Sequence, residues 1–147
     1  MGLTVDGMAP LIQVFDMPTS VAFYRDVLGF EILTTSPPRG RDDFDWAWLR
    51  LDGVDVMLNT AYEEDTRPHQ PDASRLAAHG DTCFFFGCRD VDAAYEELRS
   101  QGIDLQPPKI APYGMKQLYF NDPDGFSICL QWRVDEPTEK RSPGGTS

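Results

Sequence analysis

Three things that often carry chemistry are scarce in this sequence: paired cysteines, histidines and basic charge. Cys83, Cys88 and Cys129 make an odd set of three with no CxxC-type spacing, which argues against a disulfide framework and against a zinc knuckle. Each lies in or beside an apolar run, where a reduced thiol behaves as a small hydrophobe. The two histidines, His69 and His79, fall in a polar stretch and read as solvated, so no Ser-His-Asp or Cys-His arrangement can be placed on strands. Thirteen Lys and Arg against 24 Asp and Glu leave a net charge of −11. That balance counts against nucleic acid and anionic membranes as partners, and suits either simple solubility or a cationic ligand. No glycine-rich phosphate loop follows a strand. No apolar run nears the roughly 20 residues of a membrane helix, and residues 1–8 lack a basic region followed by an apolar stretch. The expected location is the cytoplasm.

What is present is strand and helix punctuation. Leu11–Phe15 is rich in strand formers, and Asp16, Thr19 or Ser20 can cap a helix predicted over Ser20–Leu28, with Val21, Tyr24, Val27 and Leu28 at helical spacing. Gly29 closes it, and Phe30–Thr34 reads as a strand. After a turn at Ser36–Asp43, Phe44–Leu51 is a strand carrying Trp46, Trp48 and Arg50 on one face and Ala47, Leu49 and Leu51 on the other. Asp52-Gly53 is a strong hairpin signal, which makes Val54–Asn59 the antiparallel partner. Tyr62–Gly80 is a polar connector with a short helix at Ala73–Ala78. The order then restarts: strand Thr82–Gly87, helix Asp90–Gln101 closed by Gly102, strand Ile103–Leu105, loop Pro107–Pro112, strand Met115–Phe120, turn Asp124-Gly125 and strand Phe126–Trp132.

The two halves keep step. Gly29 and Gly102 lie 73 residues apart, Asp52 and Asp124 lie 72 apart, and Asp16 and Asp90 lie 74 apart. The sequence therefore predicts an α+β fold of two tandem βαβββ modules, residues 8–61 and 81–133, joined by connector 62–80 and followed by a disordered tail at 134–147. A sheet covered by a helix on one side only leaves its other face for a ligand cleft.

The run from Asp16 to Glu31 resembles the first strand-to-helix segment of the vicinal-oxygen-chelate (glyoxalase/bleomycin-resistance/dioxygenase) superfamily. Asp90 through Gly102 is similar to the second such segment, and Tyr113-Gly114-Met115-Lys116 leading to Asp122-Pro123-Asp124-Gly125 resembles the final hairpin. The likeness covers residues 8–132. It implies a vicinal-oxygen-chelate fold, but this superfamily hosts many chemistries, so it leaves function open.

Metalloenzymes of the superfamily hold a divalent ion with His or Gln and Glu from the first and last strands of each module. Carried over by motif, those positions are Ala9, Met57, Cys83 and Cys129. Alanine cannot ligate, and no His, Glu or Asp lies within one place of Ala9, Cys83 or Cys129, so an ordinary metal centre is not expected. Met57, Cys83 and Cys129 could instead suit a soft ion such as Cu(I), or simply line a dry cleft. The resemblance to metal-free bleomycin-resistance proteins, which share a first-strand proline (Pro10 here), implies a homodimer.

The expected cleft is aromatic and apolar: Trp46, Trp48, Arg50, Asp55 and Met57 from the first module, with Cys83, Phe85, Tyr113, Met115, Cys129 and Gln131 from the second. Both faces of the Trp46–Leu51 strand are substantially apolar, so its alternation leaves open whether the indoles face the cleft or the helix. Two readings follow. A metal-free binder would sequester a hydrophobic or cationic small molecule such as an antibiotic, with no cofactor and no catalytic residue. A glyoxalase-like lyase or dioxygenase-type enzyme would use a non-standard site, for which a carboxylate of raised pKa, Asp55 for instance, would be the sign.

Overall fold

The computed structural model describes residues 2–134 of the 147-residue chain. The chain divides into two compact units, Met1–Leu76 and Ala77–Ser147. Each carries one four-stranded sheet, ordered β1-β4-β3-β2 in the first and β5-β8-β7-β6 in the second. The tail reading for 134–147 falls, beyond Val134, outside the described residues.

In the first unit β1 is Leu11–Val14, β2 Glu31–Thr35, β3 Trp46–Leu51 and β4 Val54–Thr60. β1 runs parallel to β4, while β2 and β3, and β3 and β4, are antiparallel. One face buries Ile12, Val14, Ala47, Leu49, Val56 and Leu58. Against it packs α1, Met17–Val21, which continues as a π-helical segment over Ala22–Val27. Met17, Val21, Phe23 and Tyr24 supply the helix side of this core.

Asp16 is the cap among the three candidates: its carboxylate accepts from the Thr19 amide at 3.2 Å, and Thr19 Oγ1 also donates to it. The helix therefore starts three residues earlier than its apolar spacing suggested, with Pro18 in its first turn, where no amide is needed. The widening of its second half shows in the bond from the Leu28 amide to the Phe23 carbonyl, five residues back at 3.0 Å. It seats the adjacent Phe23 and Tyr24 both in the core, which a 3.6-residue period does less readily. Gly29 takes φ +98°, the left-handed value that ends the helix.

In the second unit β5 is Cys83–Gly87, β6 Lys109–Ile110, β7 Met115–Asn121 and β8 Ser127–Arg133, with α3 at Val91–Ser100. Asp90 caps α3 by accepting from the Ala93 amide at 2.9 Å. Val91 and Leu98 of α3 and Leu118, Phe120 and Ile128 of the sheet are buried. The short connector helix α2 spans Ala73–His79.

One predicted strand is corrected. Ile103–Leu105 is irregular, and the edge strand is instead Lys109–Ile110, inside the segment read as a loop. The turn at Ala111–Gly114 sets the ladder, with the Ala111 amide bonded to the Met115 carbonyl at 2.7 Å, so pairing grows backward from the turn. It stops after Lys109 because Pro107 and Pro108 have no amide proton to extend it.

The ladders make the repeat concrete. Leu11 lies opposite Met57 in the first parallel pair, and Phe85 lies opposite Cys129 in the second. Trp48 pairs with Met57 as Tyr119 pairs with Cys129, and Trp46 with Asn59 as Gln117 with Gln131.

Candidate functional site

In the first unit, strand alternation places Trp46, Trp48, Arg50, Asp55 and Met57 together on the face opposite the helix, because their neighbours Ala47, Leu49, Val56 and Leu58 fill the core. That settles the side of the sheet taken by the two indoles. Their rings meet edge to face at 6.4 Å and 78°. Gln13 and Asn59 continue the same row, with their side-chain amides 3.2 Å apart.

Asp55 is fully engaged. Its carboxylate accepts from Trp48 Nε1 at 3.0 Å, from Arg50 Nε at 2.6 Å and from Arg50 Nη2 at 2.9 Å. The bond from Arg50 holds its acid below the usual carboxylate range, with the indole N–H adding in the same direction. Asp55 is therefore an ionised anchor for Trp48, and the sign named above for an enzyme base, a raised carboxylate, is not what this side chain shows. The same clamp removes the carboxylate that a cationic ligand would need here.

In the second unit, Cys83, Phe85, Met115, Cys129 and Gln131 share the face opposite α3, and Tyr113 lies on the turn beside it. Two residues of this face, Gln117 and Tyr119, were not singled out from the sequence. The signal for them was available: in an antiparallel ladder every second residue from Met115 shares its face, which gives Gln117 and Tyr119. Tyr119 is 48% exposed and meets Phe85, 54% exposed, edge to face at 6.2 Å and 87°. Burial of its hydroxyl, with Cys129 beside it, pushes the Tyr119 phenol up to about 12. Desolvation likewise raises the buried Cys129 thiol, which suits a neutral lining group better than a thiolate nucleophile. Gln117 Nε2 donates to Gln131 Oε1 at 2.9 Å and to Tyr113 Oη at 3.0 Å, which ties strand and turn together.

His79 corrects its reading as a solvated connector residue. It ends α2, its ring stacks on Phe126 at 4.0 Å and 13°, and Nδ1 lies 2.6 Å from the Asp124 carbonyl. A carbonyl can only accept, so Nδ1 carries the proton. His69 is exposed. Other connector residues are also tied down: Tyr62 packs edge-on against Phe15 at 5.8 Å, and Arg67 pairs with Asp16 at 3.0 Å.

The positions that carry the superfamily's metal ligands lack its imidazole and carboxylate set. Ala9 offers no donor, Met57 a thioether, and Cys83 and Cys129 thiols. Among the described residues no group of three or more His, Cys, Asp or Glu could hold an ion. No helix among them is long and apolar enough to cross a membrane.

A βαβββ unit of strand order 1-4-3-2, repeated with the same ladder register, defines the vicinal-oxygen-chelate fold. The sequence agrees. Residues 6–130 match the Glyoxalase/Bleomycin resistance protein/Dioxygenase superfamily, and the chain belongs to that family. It is 34% identical over 119 residues to YaeR of Escherichia coli, covering 78% of this chain and 86% of that protein. Glyoxylase I 4 of Arabidopsis thaliana is 31% identical over 111 residues, or 74% of this chain and 60% of the plant protein. Among solved structures, TnmS3, an antibiotic-binding protein from Streptomyces sp. CB03234, superposes with a TM-score of 0.59 at 27% identity, covering 89% and 99% of the two chains. TioX from Micromonospora sp. ML1 superposes with a TM-score of 0.65 at 22% identity, covering 86% and 99%.

Proposed function

We propose that this chain is a metal-free small-molecule-binding protein that sequesters a hydrophobic, aromatic compound of the antibiotic kind, acting as a cytoplasmic homodimer without a cofactor. The observation that carries this reading is the composition of the two sheet faces. Where a chelating set would need imidazoles and carboxylates, the first unit has Ala9 and Met57 and the second Cys83 and Cys129. Trp46 and Trp48 share the face of Met57 on the first sheet, and Phe85 and Tyr119 that of Cys129 on the second. Such surfaces bind flat apolar ligands through area and ring contacts and need no general base. Similarity to TnmS3 supports it. We take the ligand as hydrophobic rather than cationic, because Arg50 and Trp48 already occupy Asp55.

The alternative is a glyoxalase-like enzyme, favoured by the 31% identity to glyoxylase I 4. The experiment that separates the two is metal content after incubation with zinc, nickel, manganese and iron followed by dialysis, paired with calorimetric binding of a panel of aromatic antibiotics before and after EDTA. Metal below about a tenth of an equivalent, with ligand binding unchanged by EDTA, is expected. Near-stoichiometric metal, or binding that appears only with metal, refutes the proposal. Light scattering on the same sample should give twice the chain mass.

A further inference from the structure

We propose that the cavity between the proline-rich segment around β6 and strand β7 binds a planar aromatic molecule by an acceptor group, a carboxylate or a carbonyl, which Lys109 and the Tyr113 hydroxyl engage. The proposal deepens the binding function above and rests on it. The cavity is about 520 Å³, large enough for a two- or three-ring molecule, with Pro107, Pro112 and Tyr119 among its apolar walls.

Its polarity is opposite to that of the chain. Net charge is −11, yet no Asp or Glu lines this cavity, and its one charged lining residue is Lys109. Among the described residues Lys109 has no ion-pair partner. Its position is set by the ladder: Lys109 lies opposite Gln117, and Gln117 opposite Gln131, so the three share one face of the sheet.

The hydrogen-bond chain fixes what the neighbouring groups can offer. Both amide protons of Gln117 are committed, one to Gln131 Oε1 and one to Tyr113 Oη. The Tyr113 oxygen thus already accepts, so its own proton is left to donate outward. Tyr113 is 69% exposed, at the mouth of the cavity. A ligand acceptor placed here meets an ammonium and a phenolic O–H, and a ligand hydroxyl beside it meets Gln117 Oε1. A cationic group meets like charge from Lys109 with no carboxylate to offset it.

The test uses three probes of one shape, 2-naphthoate, 2-acetonaphthone and 2-naphthylmethylamine, titrated calorimetrically into the full-length protein. The expected order is naphthoate tightest, ketone next, amine weakest. Lys109→Met should weaken naphthoate about three- to tenfold while changing the ketone less than about twofold. Tyr113→Phe should weaken naphthoate and ketone alike, by about threefold. Both side chains are exposed, and circular dichroism checks that each variant is folded. If the amine binds tightest, or if neither substitution changes naphthoate binding, the inference is overturned while the ligand-binding function stands. If none of the three probes binds, both are overturned.

Discussion

Strand β7 places two neighbouring residues in opposite environments, and substituting each in turn tests the orientation on which the site depends. Leu118 is 1% exposed in the core beneath α3, whereas Tyr119 is 48% exposed on the opposite face. Leu118→Ala removes a fully buried branched group and leaves a cavity, at a cost of about 2–5 kcal/mol. With a urea m-value of about 2 kcal/mol/M for a small domain, the unfolding midpoint should fall by roughly 1–2.5 M. Tyr119→Ala removes a larger side chain, but half of it already faces water. Its losses are the edge contact with Phe85 and the cross-strand contact with Cys129, together about 1 kcal/mol, or near 0.5 M. Aromatic ligand binding should respond in the reverse order, falling about fivefold for Tyr119→Ala and little for Leu118→Ala. The assay is urea unfolding followed by circular dichroism, with calorimetric titration of 2-acetonaphthone alongside. Equal midpoint shifts, or a larger one for Tyr119→Ala, would mean that β7 presents the other face, and the candidate site would fall with it.

Tyr119 should also report its surroundings by titration: a 295 nm absorbance scan should contain a phenol that ionises near pH 12 and is missing from Tyr119→Phe. A phenol whose folded pKa lies above its unfolded value of 10.0 keeps its contribution to stability below pH 10 and loses it as pH rises toward 12, so Tyr119→Phe should flatten alkaline unfolding there. Asp55 has the opposite sign: its folded acid is lowered, so its contribution is complete above about pH 4 and lost as pH falls through the folded value. Trp48 emission should hold steady down to about pH 4 and change only below it, a transition absent in Asp55→Asn. Asp90→Ala should cost about 1 kcal/mol through loss of the α3 cap, with Asp90→Asn restoring most of it, both read from urea midpoints. Alkylation with iodoacetamide should reach the half-buried Cys83 and Cys88 before the buried Cys129, as followed by peptide mass spectrometry.

Much of this molecule is local and therefore legible along the chain. Asp16 and Asp90 cap their helices through side-chain bonds three residues away, Gly29 and Gly102 end them at φ +98° and +84°, and Asp52-Gly53 turns a hairpin, all within a few residues of sequence. Because these signals recur at a near-constant offset, the doubled βαβββ module and the equivalence of Met57 with Cys129 could be read without coordinates. What tertiary structure alone decided are the contacts between strands and segments distant in sequence. Alternation could not orient β3, since Trp46 and Trp48 on one side and Ala47, Leu49 and Leu51 on the other are both apolar, and only packing against α1 chose between them. The state of Asp55 depends on Arg50 and Trp48 across the hairpin, and the seat of His79 on a carbonyl 45 residues away. Lys109 entered a strand because the turn after it set the pairing and the prolines before it ended it. Sequence determines which residues can form each element, and the choice of which face meets water belongs to the packed core.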